Sequence, residues 1–175
     1  MIIVGLDPSL RNWGVAVTSY DLETDTLTLE SVDVIKTKPL TKSKLSKAEQ
    51  DLQAAKTLLD GVLSYVKTAE LVVIELPIGS QSAAAMKSYG ICIGITACLT
   101  HLGIPFIYKS PYDLKKVIGN KDTTKEEIIR FVGDRHPNKL SKFKNSAEHQ
   151  ADAVLAIYAA LPEIKETNNE NHINT

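Results

Sequence analysis

The chain has 175 residues, 43% of them hydrophobic and 23% charged, with a formal net charge of −1. That length suits one domain with a full core, and the composition is that of a globular protein rather than a disordered or fibrous one. A net charge near zero excludes a generally basic nucleic-acid binder, and no run approaches the roughly 18 consecutive apolar residues of a membrane span. No signal peptide is expected ahead of the first strand, and Cys92 and Cys98 match no metal or redox spacing; they are expected to be buried thiols in a reducing, cytoplasmic setting.

Residues 2–7, 13–20 and 27–35 read as strands, the first an apolar run punctuated by Pro8 and the last two joined by the polar "SYDLETDTL". Leu45, Ala48, Leu52, Ala55, Leu58, Val62 and Val66 recur at helical spacing. "ELVVIELP" (70–77) is a buried strand, and 80–102 is a long helix rich in Ala and Gly. "IPFIY" (104–108) is a further strand, and Ser110-Pro111 opens a short helix ending near Gly119. Thr123 with Glu126 reads as a capping box for the next helix, which stops before Pro137. A last amphipathic helix spans about 146–161, ahead of a polar tail. Three strands followed by alternating helices and strands predict an α/β fold with a mixed sheet.

Charge is patterned along this frame. Lys36, Lys38, Lys42, Lys44 and Lys47 crowd one stretch, Lys109, Lys115, Lys116, Lys121 and Lys125 a second, and Arg135, Lys139, Lys142 and Lys144 a third. Such clusters are either solvated surface or a face for a polyanion. Two buried strands end in an acid, Asp7 after IIVGL and Glu75 after LVVI. Asp152 lies beside the core stripe of the last helix, with His149 and Glu148 on its face. Taken singly, each acid is as consistent with a cap or an ion pair as with a ligand. Taken together, closely spaced carboxylates repel unless a cation lies between them, and oxygen-rich sites suit Mg²⁺ or Mn²⁺.

These stretches carry a resemblance. "IIVGLDPSLRNWGVAV" resembles the opening of the RuvC-type Holliday junction resolvases of the ribonuclease H-like superfamily. "VVIELP" is similar to their second acidic motif, and "HQADAVLAI" to their final helix. The match covers nearly the whole chain in the family's motif order, with "GNKDTTKEEI" between the last two motifs. The resemblance implies a ribonuclease H-like mixed five-stranded sheet flanked by helices. Residues 1–162 would form the nuclease domain and 163–175 a disordered polar tail. It implies metal-dependent hydrolysis of four-way DNA junctions by a homodimer that nicks paired strands.

In that family the metal-binding acids correspond to Asp7, Glu75 and Asp152, holding two Mg²⁺ ions with Mn²⁺ able to substitute. His149 falls at a position that is Asp or His among members, as a ligand or a general base. The lysines that contact DNA correspond to Lys125 and to Lys115 or Lys116. Lys125 in a first helical turn is disfavoured by the helix dipole, a cost a bound phosphate would offset. Ser80 and Gln81 are candidates for a backbone phosphate, although an N-cap accounts for Ser80 as well. The helix 80–102 corresponds to the family's dimer element, where Ala83, Ala84, Gly90, Gly94 and Ala97 would allow close approach. No membrane and no further small-molecule cofactor is implied.

One departure stands out. Well-studied members carry an aromatic residue just after the second acid, where this chain has Ile78. That keeps open a broader branch or flap endonuclease, or a YqgF-like nuclease acting on RNA. Divergent forms of this kind occur in bacteriophages, which points to a bacterial or phage-infected cytoplasm. An actin or sugar-kinase type nucleotide binder would need a second Asp-Gly-Gly motif and about twice the length. A non-catalytic junction binder would not be expected to keep every acid.

Overall fold

The computed structural model describes residues 1–38, 44–79, 82–119 and 122–173, with side chains to residue 167. The elements in chain order are β1 (Ile2–Asp7), β2 (Asn12–Asp21), β3 (Thr26–Lys36), α1 (Lys47–Val66), β4 (Leu71–Glu75), α2 (Ala83–Thr100), β5 (Phe106–Lys109), α3 (Pro111–Ile118), α4 (Lys125–Arg135) and α5 (Lys144–Ile173). The strands form one mixed sheet in the order β3-β2-β1-β4-β5. β2 is antiparallel to both its neighbours, while β4 and β5 continue parallel to β1. This is the expected fold class.

Strand alternation decides what each face of the sheet carries. Ile3 of β1 and Leu71 and Val73 of β4 join Ala151, Val154 and Leu155 of α5 in one core. Val4, Leu6, Val72 and Ile74 join Leu58 and Val62 of α1 and Leu99 of α2 in the other. Asp7 and Glu75 share the parity of Ile3 and Val73, so both acids project to the α5 side. Leu6 pairs with Ile74, and the two acids therefore leave the sheet side by side.

Two glycines bring α5 down onto that face. A Cβ at Gly14 would lie 2.1 Å from the His149 carbonyl oxygen, and one at Gly5 would lie 2.2 Å from that of Ala153. Only the bare backbone admits the helix at this depth, where it crosses β1 and β2.

Several local expectations need correction. The last helix does not end at Leu161: Pro162 lies inside α5, which continues to Ile173. Ile164 is buried and Lys165 reaches Asp25 at 2.7 Å, so the start of the presumed tail is held by the fold. The capping box of α4 is Thr124 with Glu127, one residue later than read. Ser82 caps α2, while Ser80 and Gln81 lie outside the described residues. Cys92 is buried but Cys98 is exposed. On α1 the inward stripe is Asp51, Ala54, Leu58, Val62 and Val66, and Leu52 points outward at 58% exposure. α2 is long and apolar enough to cross a membrane by length and mean hydropathy (18 residues, 1.3), although one face of it, including Cys92, Ile95 and Leu99, is buried in the domain.

Candidate active site

Asp7, Glu75 and Asp152 come together as the alternation and the two glycines require. One carboxylate oxygen from each lies within 4.8 Å of the others. Asp7 ends β1, Glu75 ends β4, and Asp152 sits on the third turn of α5 at 4% exposure. Two groups of opposite character border them. His149 Nδ1 lies 2.6 Å from Asp7 Oδ2, and the Lys125 ammonium is hydrogen-bonded to Asp152 Oδ2. His149 thus joins the site through Asp7, and the three carboxylates form the compact group.

The electrostatics follow from crowding acids in a partly dry space. Burial raises the Glu75 carboxyl to about 8, helped by the Asp7 and Asp152 charges and opposed by Lys125. Burial and the Asp7 charge raise Asp152 to about 6, against the pull of Lys125 and His149. Burial lowers the His149 imidazole, but the hydrogen bond and charge of Asp7 outweigh it and raise the ring overall. Lys125 is likewise pushed down by burial and held above its ordinary value by Asp152, Asp7 and Glu75. A cluster of hard oxygen donors that resists losing its protons is what a divalent cation would relieve. The donor set fits Mg²⁺ or Mn²⁺.

Among the described lysines singled out in the sequence, Lys125 is the one hydrogen-bonded to an acid of the cluster. Lys115 and Lys116 lie on α3, which follows β5 where Lys109 pairs with Glu75. Lys116 contacts Asp113 at 3.3 Å and stands 4.4 Å over the Tyr112 ring. α3 packs against α5, and Lys116 lies in a cleft with Tyr158 and Pro162, six and ten residues beyond Asp152 along that helix. Ile78 is 79% exposed in the segment just beyond Glu75.

A second charged cluster escaped the sequence reading. Asp51 of α1, 7% exposed, meets Lys87 of α2 at 2.6 Å, Lys47 at 3.3 Å and Arg11 at 4.0 Å. Arg11 belongs to the turn after Asp7 and also donates to Thr37 Oγ1 at 3.2 Å. A signal was present: an aspartate opens the i, i+3, i+7 register that Ala54 and Leu58 continue inward.

No protein-family profile and no curated protein sequence matches the chain. Solved structures do. The RuvC of T. thermophilus in complex with a Holliday junction substrate superposes with a TM-score of 0.71 at 19% identity, covering 95% of this chain and 96% of that one. The fowlpox virus Holliday junction resolvase gives 0.57 at 14% identity over 94% of this chain and 99% of its own. The yeast mitochondrial Holliday junction resolvase Ydc2 gives 0.57 at 10% identity, over 96% of this chain and 85% of its own. The chain has the ribonuclease H-like fold of these proteins along essentially its whole length.

Proposed function

We propose that this chain is a structure-specific DNA endonuclease that resolves four-way junctions by metal-dependent phosphodiester hydrolysis. The observation that carries the reading is the carboxylate group of Asp7, Glu75 and Asp152, gathered within 4.8 Å at one end of the sheet. The fold supports it, being that of proteins named as Holliday junction resolvases, one of them bound to its junction.

In this reading the three carboxylates hold two Mg²⁺ ions, with Mn²⁺ as a substitute. Ions bound there supply a more acidic water and charge stabilisation for the 3′-oxygen leaving group. Asp7 is oriented by His149, whose Nδ1 is engaged with it. Only Nε2 is then left to accept a proton from an attacking water. Lys125, tied to Asp152 in the first turn of α4, is placed to meet a phosphate next to the acids. Lys115 and Lys116 would hold backbone phosphates along α3, adding affinity that falls with salt and little sequence information. Ser80 and Gln81 remain candidates for the same task.

The exposed face of α2 is the surface on which we place a homodimer. Gly90 and Gly94 have open space where a Cβ would be, and Met86 and Ile93 are exposed at 47% and 43%. Small residues flanked by apolar ones suit close approach of a second helix across a twofold axis. A broader branch or flap specificity is the second reading, favoured by the aliphatic Ile78 where junction resolvases carry an aromatic ring.

The test is cleavage of labelled four-way junction, flap and linear duplex by wild type and Asp7→Asn, with Mg²⁺ or Mn²⁺. Wild type should cut the junction in preference to the others. Asp7→Asn should bind it and cut at least about 10³-fold more slowly, each factor of ten being about 1.4 kcal/mol of barrier. An intact junction, or equal cutting by the mutant, would sink the proposal; flaps cut as fast as junctions would select the broader reading.

A further inference from the structure

Phe143 is 78% exposed, more than any other aromatic ring among the described residues. Its carbonyl oxygen accepts from the Ala147 N–H at 2.9 Å, which makes it the residue that starts α5. That position favours Ser, Thr, Asp or Asn, and α1 to α4 do start on Ser46, Ser82, Ser110 and Thr124. The ring at 143 neither caps the helix nor packs into a core, so folding gains little from it.

The turn that presents the ring is nonetheless fixed. Ser141 N–H donates at 2.8 Å to Oε1 of Gln150, which is 7% exposed, and Phe143 N–H donates at 3.2 Å to Ser141 Oγ. Exposed lysines flank it on both sides, Lys142 and Lys144. Lys144 is paired with Glu126, but both are about two-thirds exposed, and such a surface pair yields readily to a phosphate. Lys36 donates to Ser146 Oγ at 2.9 Å, which ties this start of α5 to the end of β3. Lys36 pairs across from Asn12 at the same end of the sheet as Asp7.

An aromatic face between cations is the chemistry that holds an unpaired base and its phosphates. His149 and Asp152 lie six and nine residues further along, or roughly 9 and 14 Å of helix rise. That is about three or four nucleotides of stacked strand at roughly 3.4 Å each. Resting on the nuclease reading above, we propose that Phe143 stacks on an unpaired base at the DNA branch point, with Lys142 and Lys144 on the flanking phosphates. The aromatic missing at Ile78 is thereby supplied from the opposite rim of the site.

The test is a cycle between the ring and the base. Phe143→Ser and Phe143→Trp are made in full-length protein carrying Asp7→Asn, so that bound DNA stays intact. Binding is measured to four-way junctions with normal or abasic nucleotides at the branch point, and to linear duplex. Phe143→Ser should keep or raise Tm, because it installs a capping residue, yet bind the junction about ten- to a hundredfold more weakly. Its binding to linear duplex should not change, abasic branch nucleotides should weaken the parent but not Phe143→Ser, and Phe143→Trp should retain junction binding. The inference is overturned if Phe143→Ser binds the normal junction as tightly as the parent, or if ring and base losses simply add. It is overturned equally if Phe143→Ser alters only the oligomeric mass, which would make the ring a protein contact. A parent that binds junction no better than duplex would mark failure of the functional reading itself, and this one would fall with it.

Discussion

Asp51 and Asp152 are almost equally buried, at 7% and 4% exposure, and sit on opposite faces of one sheet with opposite charge balances. Asp51 faces Lys87, Lys47 and Arg11, and the Lys87 hydrogen bond holds its carboxyl below the usual range despite burial. Asp152 shares its space with Asp7 and Glu75 against Lys125 and an imidazole, and burial raises it to about 6. The first acid carries more counter-charge than it needs and ties α1, α2 and the turn after β1 together. The second belongs to a group with too little, kept together by backbone geometry. An acid excess enforced by the fold calls for a cation from outside; an acid already surrounded by cations does not.

Glu75→Gln should break this contrast most strongly. It removes an oxygen donor charge from the cluster, and junction cleavage should fall by at least about 10³-fold. In metal-free protein the same change should be stabilising at alkaline pH. The folded state raises Glu75 from 4.5 to about 8, so it binds that proton more firmly than the unfolded chain does. The associated stability is complete below pH 4.5 and is lost as pH rises towards 8. Thermal melts without divalent ions should therefore show Tm declining over that window in wild type and much less in Glu75→Gln. A parallel decline in both would mean that Glu75 is not the group under strain.

The acids themselves were legible in the sequence, because charges ending the apolar runs IIVGL and LVVI have no place in a core. Their convergence was less so. The parity of residues 3, 5, 7 and 71, 73, 75 puts Asp7 and Glu75 on one face, but both strands are apolar on both sides, and nothing in the pattern says which face meets α5. The depth of α5 depends on Gly5 and Gly14, whose missing side chains register only when the helix is in place. Asp51 was passed over because Leu52 completed an apolar stripe; cations from α2 and from the turn after β1 reverse that preference, and neither is near in sequence. The end of α5 is read near Leu161 because the residues beyond are polar, whereas Ile164 and Lys165 find tertiary partners past that point.

Asp51→Asn should act on the other side of the comparison and in the other sense. The amide keeps the volume but leaves Arg11, Lys47 and Lys87 without their shared charge. The cost should be about 2 kcal/mol, less than for a fully buried pair because the cations are 31% to 60% exposed. Its pH dependence has the opposite sign to that of Glu75. A lowered carboxyl contributes stability above its ordinary value of 3.8 that is lost on acidification below it. Urea unfolding should find the wild-type advantage over Asp51→Asn present at pH 6 and diminished near pH 3, with kcat on junction DNA within about twofold of wild type. A large loss of kcat would show that Arg11 and Lys87 serve the chemistry and that Asp51 is more than a tie.

The smallest effect separates the two regions most cleanly, because it holds the stability cost constant. Ser46 starts α1, the helix of Asp51, and Thr124 starts α4, the helix of Lys125; each hydroxyl accepts from the backbone N–H of the glutamate three residues on, Glu49 or Glu127, whose carboxylate accepts in turn from the backbone N–H of the capping residue. Replacing either by Ala should cost about 1 kcal/mol. The loss at Ser46 frays a helix end whose charged partner is structural, so cleavage should not change once the protein is folded. At Thr124 the frayed turn contains Lys125, the cation held on Asp152. Thr124→Ala should therefore lower kcat severalfold and shift the Mg²⁺ dependence, at the same Tm as Ser46→Ala. Equal kcat in the two variants would mean that Lys125 reaches Asp152 without help from its helix, and that the position of α4 is set by its packing of Ile128 and Val132 alone.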